Sequence, residues 1–171
     1  MPGPWHEFYM LLGTAAATLV ALLFVAASIG AGLIDPARST ATRTYMSPII
    51  FHYTCVLFVS LMTLVPDMTE RGLAVIVALV ALAGFGFSLA VLIGVLRSAT
   101  SDLADRFGYG ASPLAAYAAA LVAAGLLWAH SNAGPNILAG ALVLLLLVNI
   151  RNAWDLTLTF ARRRTGSPPQ A

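Results

Sequence analysis

Long apolar stretches separated by short polar segments make up most of the chain. Five stretches are long enough, or nearly so, to cross a bilayer as helices, since a hydrocarbon core of about 30 Å takes about 20 residues rising 1.5 Å each. They cover approximately residues 7–34, 48–65, 73–96, 113–129 and 136–160. The pattern predicts an all-α fold, with one membrane domain over residues 1–161 and five transmembrane helices.

Turn-forming residues lie between these stretches. Ser47-Pro48 and Ser112-Pro113 precede the second and fourth stretches, and a serine N-cap followed by proline at the first helical position is a typical helix start. The interruptions after the first, second and fourth stretches are Asp35-Pro36, Pro66-Asp67 and Asn132-Ala133-Gly134-Pro135. These signals predict short connections between antiparallel helices.

The composition excludes a water-soluble domain. Hydrophobic residues make up 60% of the chain and charged residues 9%, and the mean hydropathy is +0.87. Because a soluble domain carries about a quarter charged residues, we expect lipid to surround these helices. The first ten residues contain no Lys or Arg, and the apolar run that follows is too long for a secretory signal, so we expect the first helix to be retained.

The arginines are distributed asymmetrically over the connections. Those on one predicted side are Arg38, Arg43, Arg97, Arg106, Arg151, Arg162, Arg163 and Arg164. The other side has only Arg71. Because cytoplasmic segments are enriched in basic residues, this asymmetry predicts an outside N-terminus and a cytoplasmic C-terminus in a bacterial inner membrane, and it requires an odd number of crossings. Residues 162–171 are predicted to form a basic, disordered cytoplasmic tail that attracts anionic lipid headgroups.

Polar side chains within the apolar stretches are the candidates for function, because such groups are costly in lipid. On a helical wheel, four residues of the first stretch fall within about 80° of one another. These are Glu7, Thr14, Thr18 and Ser28. This pattern is typical of a pore-lining face, and it is also typical of a face that packs closely against another helix.

Two interpretations apply to the polar residues of the fifth stretch. Arg151 and Asp155 are four residues apart and can pair, while Trp154 lies at headgroup level, which favours an anchor at the membrane surface. Alternatively, Asn149 and Asn152 face other helices and form a buried polar cluster through interhelical hydrogen bonds.

His52, in the second stretch, is expected at a similar depth to this polar group. It is either a hydrogen-bonded structural residue or a proton-responsive one, because histidine is the side chain that titrates near neutral pH. Contact between His52 and the asparagines of the fifth stretch is a reasonable expectation at that depth.

The chain lacks the sequence signatures of catalysis and of cofactor binding. It contains no G-x-S-x-G, H-E-x-x-H or Walker motif, and we predict that it is not an enzyme. His6, Glu7 and His130 can approach one another outside the membrane, but none share the spacing of a metal site, so no metal is predicted. A net charge of +2 without interleaved aromatic residues does not favour nucleic acid binding.

The run of residues 5–19 and the run Arg151-Asn152-Ala153-Trp154-Asp155-Leu156 resemble a group of small multi-spanning bacterial inner-membrane proteins without an assigned function. The resemblance covers the two terminal helices. It implies an inner-membrane location but no activity, and therefore it assigns no functional residues.

The sequence favours a small oligomeric channel or permeation protein. The polar face of the first helix would line the path, with His52 or Arg151 near its inner mouth. The alternative is a non-catalytic accessory or assembly subunit of a larger membrane complex, which the shortage of charge in the spans favours. The expected partners are the lipid bilayer, further copies of the chain and, in the alternative, other membrane subunits.

Overall fold

A computed structural model describes residues 3–31, 39–97 and 110–165, and it is helical without strands in these ranges. The helices are α1 (Gly3–Ala31), α2 (Ser39–Leu64), α3 (Glu70–Arg97), α4 (Ser112–Trp128) and α5 (Ala133–Thr165). The prediction of an all-α chain with five helices is confirmed for the described residues.

Successive helices run antiparallel. At one end, the Arg71 guanidinium carbon at the start of α3 lies 5.7 Å from the centroid of the Trp128 ring at the end of α4. At the same end, the Tyr9 hydroxyl of α1 donates a hydrogen bond to the Pro135 carbonyl of α5, with 3.2 Å between the oxygens. This end, which holds the starts of α1, α3 and α5, is called the upper end. The lower end holds the starts of α2 and α4.

Helix α2 lies at the centre of the bundle. It packs against α1, α3 and α5, while α4 fills the remaining side between α3 and α5. The contact between α1 and α5 is slight by comparison. Helix α1 is therefore peripheral, and much of its surface faces away from the other helices.

The surface of the bundle is apolar, as a lipid environment requires. Leu11, Leu79 and Trp154 are exposed, each with more than three fifths of its surface accessible. Four helices are long and apolar enough to cross a membrane, over Trp5–Ser28, Ser47–Leu64, Glu70–Gly94 and Ala133–Asp155. Helix α4 is apolar but has 17 residues, so it extends about 25 Å at 1.5 Å per residue.

The predicted start of the second helix at Ser47-Pro48 is wrong. Helix α2 begins at Ser39, and Pro48 lies within it and is buried. The apolar stretch does begin near residue 48, but residues 39–46 are largely polar and continue the helix beyond that stretch. A polar segment can still form backbone hydrogen bonds, so hydropathy marked the edge of the apolar stretch and missed the helix start.

Two further boundaries differ from the predictions. Ser112 is not the N-cap of α4, because Gly110 and Ala111 are already helical, and Ala111 takes the cap position. Helix α5 continues to Thr165, so the predicted disordered tail begins at least four residues too early. Residues 166–171 lie outside the described residues.

The connection between α4 and α5 is a tight helix end. The Ser131 amide donates to the Leu126 carbonyl at 2.9 Å and the His130 amide to the Leu127 carbonyl at 3.0 Å. This pair of bonds is the Schellman motif, which places one residue in the left-handed region. Here that residue is His130, with φ 54°. The turn therefore holds the His130 side chain in a fixed direction at the upper end.

The close approach of α3 and α4 yields a prediction. A Cβ atom added at Gly84 would overlap the Tyr117 ring, whereas one added at Gly86 would meet nothing within 4 Å. We expect Gly84→Ala to lower the free energy of unfolding by about 1–3 kcal/mol, because overpacking displaces a buried ring. Thermal unfolding in detergent, followed by circular dichroism, measures the change.

Gly86→Ala is the matched control. It should be neutral or stabilising by about 0.5–1 kcal/mol, because alanine is the better helix former and the space is open. Equal losses in the two variants would contradict the packing of Tyr117 against Gly84.

Candidate functional site

A buried side-chain hydrogen bond joins α2 to α4. The His52 Nδ1 atom lies 2.8 Å from the Tyr117 hydroxyl oxygen, and each side chain is 1% exposed. The hydroxyl donates to the ring nitrogen or accepts its N–H, according to the histidine tautomer. This hydrogen bond satisfies both groups in an environment without water, where an unpaired polar group is costly.

Aromatic rings and a thiol surround this pair. The His52 ring centroid lies 5.7 Å from that of Phe51 and 6.0 Å from that of Phe87 on α3. Cys55, one turn along α2, lies beside the Tyr117 hydroxyl and is a weak second hydrogen-bonding partner for it. The arrangement therefore favours the structural interpretation of His52 over the proton-responsive one.

His52 and its neighbour Tyr53 face different helices. The contacts of His52 described above are with residues of α3 and α4 in addition to Phe51. Tyr53 instead belongs to a buried cluster with Leu23 of α1, against which Leu146 and Ala153 of α5 pack. The Tyr53 side of α2 thus faces α1 and α5, and the contact of His52 with the asparagines of α5 stays a prediction.

The polar residues of α5 lie on two different faces of the helix. Asn149 and Asn152 are buried, and the Asn149 side-chain amide donates to the Leu145 carbonyl at 2.7 Å. Arg151 and Asp155 are more than half exposed, and the Arg151 Nε atom lies 3.9 Å from an Asp155 carboxylate oxygen. The Asn149 bond described above lies within α5, so interhelical hydrogen bonds of the asparagines and a membrane anchor at Arg151 both stay predictions. The asparagines are buried, and the charged pair faces outward.

The polar residues of α1 lie on the outer surface of the bundle. Glu7, Thr14, Thr18 and Ser28 are all exposed. Each hydroxyl of the last three donates to the backbone carbonyl four residues earlier, at 2.8 Å. These intrahelical bonds let the side chains face lipid or another protein surface at little cost. The structure does not bring them together with His52, which lies inside the bundle.

His130, one of the outer candidates for a metal site, pairs with Glu70. The His130 Nδ1 atom lies 2.6 Å from a Glu70 carboxylate oxygen, and both side chains are about half exposed. Within the described residues, no group of three His, Cys, Asp or Glu side chains is close enough to hold a metal ion. The pair instead links the start of α3 to the turn after α4.

Three buried tyrosines were missed by sequence reasoning. Tyr9, Tyr53 and Tyr117 are each at most 1% exposed. Tyr9 and Tyr117 have the hydrogen bonds described above, but the Tyr53 hydroxyl has no hydrogen-bond partner among the described residues. The available signal was the residue type, because a tyrosine within an apolar stretch usually needs a partner for its hydroxyl.

A comparison of two tyrosines tests the buried contact. We expect Tyr117→Phe to lower the free energy of unfolding by about 1–3 kcal/mol, because it leaves the His52 nitrogen without its partner. Tyr53→Phe is the control and should be neutral or slightly stabilising, since its hydroxyl has no partner to lose. Thermal unfolding midpoints of the two variants in the same detergent decide the point, and a larger loss for Tyr53→Phe would contradict it.

Searches of protein-family models, of curated proteins and of solved structures find no match to this chain. The candidate residues therefore carry no role transferred from a relative. Their positions in the bundle, and the contacts that they make, are the basis for a functional assignment.

Proposed function

We propose that the chain crosses a bacterial inner membrane five times, with the N-terminus outside. The antiparallel order supports five crossings, since an α4 of about 25 Å nearly spans the hydrocarbon core. The helix bounds place Arg97 at the last residue of α3 and residues 162–164 in the last turns of α5. Both positions belong to the lower end, whereas Arg71 lies at the upper end. This sorting supports a cytoplasmic lower end.

In this membrane the chain acts as a small oligomeric permeation protein. The observation that carries this proposal is the outward face of α1. Seven exposed residues on it are separated alternately by four and three positions, namely Glu7, Leu11, Thr14, Thr18, Ala21, Val25 and Ser28. Residues with this spacing lie on one face of a helix. Helices of separate chains pack together through faces with this spacing. This face is partly polar, although contact with lipid would favour an apolar face.

The path requires several copies of the chain. The interior of one bundle is filled by large side chains such as Tyr9, Tyr117 and Leu145. A polar path along α1 therefore forms only where the α1 helices of several copies surround a common axis. Glu7 would then form a ring of carboxylates at the outer mouth, which is a common device for attracting cations.

A second candidate function is a non-conducting accessory subunit of a membrane complex. Gly86 and Gly94 on α3 have nothing within 4 Å of an added Cβ, and Ala90 between them is exposed. Small residues at this spacing let another helix approach closely. Recovery of the protein with other chains after gentle extraction would favour this function over the oligomeric one.

Cation flux into liposomes tests the permeation function. Purified protein should conduct cations, and Glu7→Gln should lower the flux by about tenfold at low salt, because the carboxylate ring concentrates cations at the mouth. The effect should shrink at high salt through screening. Glu70→Gln is the control, since Glu70 is an exposed carboxylate at the same end but on α3. Background flux in the unchanged protein, or equal effects of both variants, would refute the proposal.

Cysteine cross-linking tests the association through α1. Ala21 and Ala26 are both exposed on α1 and lie about 140° apart around the helix. In a chain with Cys55→Ala, we expect Ala21→Cys to form disulfide-linked dimers in the membrane and Ala26→Cys to remain monomeric. Gel electrophoresis without reductant measures the product, and the reverse result would place the association face elsewhere on α1.

A further inference from the structure

A groove opens between α1 and α5 in the lower half of the bundle. Its cavity of about 470 Å³ lies within the range of small-molecule pockets, about 300–1,000 Å³. Leu19, Leu22 and Ala26 of α1 form one wall, and Leu147 and Ile150 of α5 form the other. These walls are apolar, so the groove suits a hydrocarbon chain.

The groove also contains a buried polar group. Tyr53 of α2 lines it and is 1% exposed, yet its hydroxyl has no hydrogen-bond partner among the described residues. A buried hydroxyl without a partner costs free energy, and each such group in a folded protein calls for an explanation. A bound molecule with an acceptor oxygen would supply the missing bond.

A positive charge lies in the same groove. Arg151, Trp154 and Thr157 of α5 line it and are exposed. The nearest Arg151–Asp155 contact runs through Nε at 3.9 Å, which is longer than a hydrogen bond. A guanidinium has five N–H donors and matches the oxygen geometry of a phosphate. The tryptophan N–H is a further donor near the same position, whereas the Thr157 hydroxyl already donates to the Ala153 carbonyl at 2.8 Å.

We propose that this groove binds an anionic phospholipid from the inner leaflet. One acyl chain lies between the leucines of α1 and α5, the phosphate contacts Arg151, and the Tyr53 hydroxyl donates to an ester carbonyl. A phospholipid combines an apolar chain, ester carbonyls and a charged phosphate, and the membrane supplies it at high concentration. The site goes beyond the permeation function and does not require the chain to conduct.

Tryptophan fluorescence provides the measurement. Trp154 lines the groove, whereas Trp5 and Trp128 lie at the upper end. A chain with Trp5→Phe and Trp128→Phe therefore reports on the groove alone. In phosphatidylcholine vesicles, brominated phosphatidylglycerol should quench Trp154 at a mole fraction about tenfold lower than brominated phosphatidylcholine does, because a hydrogen bond to a charged group contributes about that factor.

Trp128 is the matched control reporter. It is exposed and also has an arginine nearby, Arg71, but it does not line the groove. In a chain with Trp5→Phe and Trp154→Phe, the two brominated lipids should quench Trp128 at similar mole fractions. An equal preference for phosphatidylglycerol at Trp128 and Trp154 would mean that this lipid is attracted to any exposed arginine. That result would overturn the proposal.

Three variants test the separate contacts, and a fourth, Arg71→Gln, is a control. Arg151→Gln should remove the preference for phosphatidylglycerol, while Arg71→Gln should leave it unchanged. Ala26→Phe should weaken quenching by both lipids, because it fills the groove from an exposed position that does not disturb the core. Tyr53→Phe should lower the affinity without lowering the thermal stability of the lipid-free protein. Unchanged selectivity in Arg151→Gln, or unchanged quenching in Ala26→Phe, would refute the site.

Discussion

The buried ring of Tyr117 sets the distances between the three helices around it. Its hydroxyl is hydrogen-bonded to His52 of α2, and its face lies against Gly84 of α3, where no side chain would fit. The Tyr117 ring reaches α2 only by crossing the space beside α3, and a side chain at position 84 would occupy that space. The hydrogen bond to His52 therefore requires glycine at this position. In the proposed lipid environment apolar burial contributes little to helix association, so such close packing and polar pairing would hold the bundle together.

The need for a hydrogen-bond partner explains which polar residues are buried and which are exposed. Groups that find a partner inside the bundle are buried, as Tyr9 is by its bond to the Pro135 carbonyl. Groups that are satisfied by their own helix lie outside, as Thr14 and Thr18 do. Charged residues such as Arg151 and Asp155 face outward. Among the described residues, the Tyr53, Ser60 and Ser88 hydroxyls and the Asn149 amide oxygen are buried without a hydrogen-bond partner. Of these residues Tyr53 lines the groove, and its hydroxyl is a reason to assign a ligand there.

The peripheral position of α1 links the two proposals. Because α1 packs mainly on α2, one face remains open for association with other copies, and the gap that separates it from α5 forms the groove. The association face contains Ala21, and the groove is lined by Ala26. The two surfaces therefore lie on different sides of α1. A lipid in the groove would fill the space between α1 and α5, and it would thereby fix the orientation of the face that meets the next copy.

Sequence periodicity and hydropathy determined the all-helical fold and the approximate extent of the helices, since these depend on local residue types, whereas the exposure of the polar face of α1 came from the tertiary structure. Hydropathy could not locate the start of α2, because residues before Pro48 form helix without being apolar. Only the tertiary structure decided that His52 meets Tyr117, that Asn149 is buried while Arg151 is exposed, and that Tyr53 lacks a partner. These facts depend on the rotation of each helix about its axis, and that rotation is fixed by packing between segments far apart in the chain.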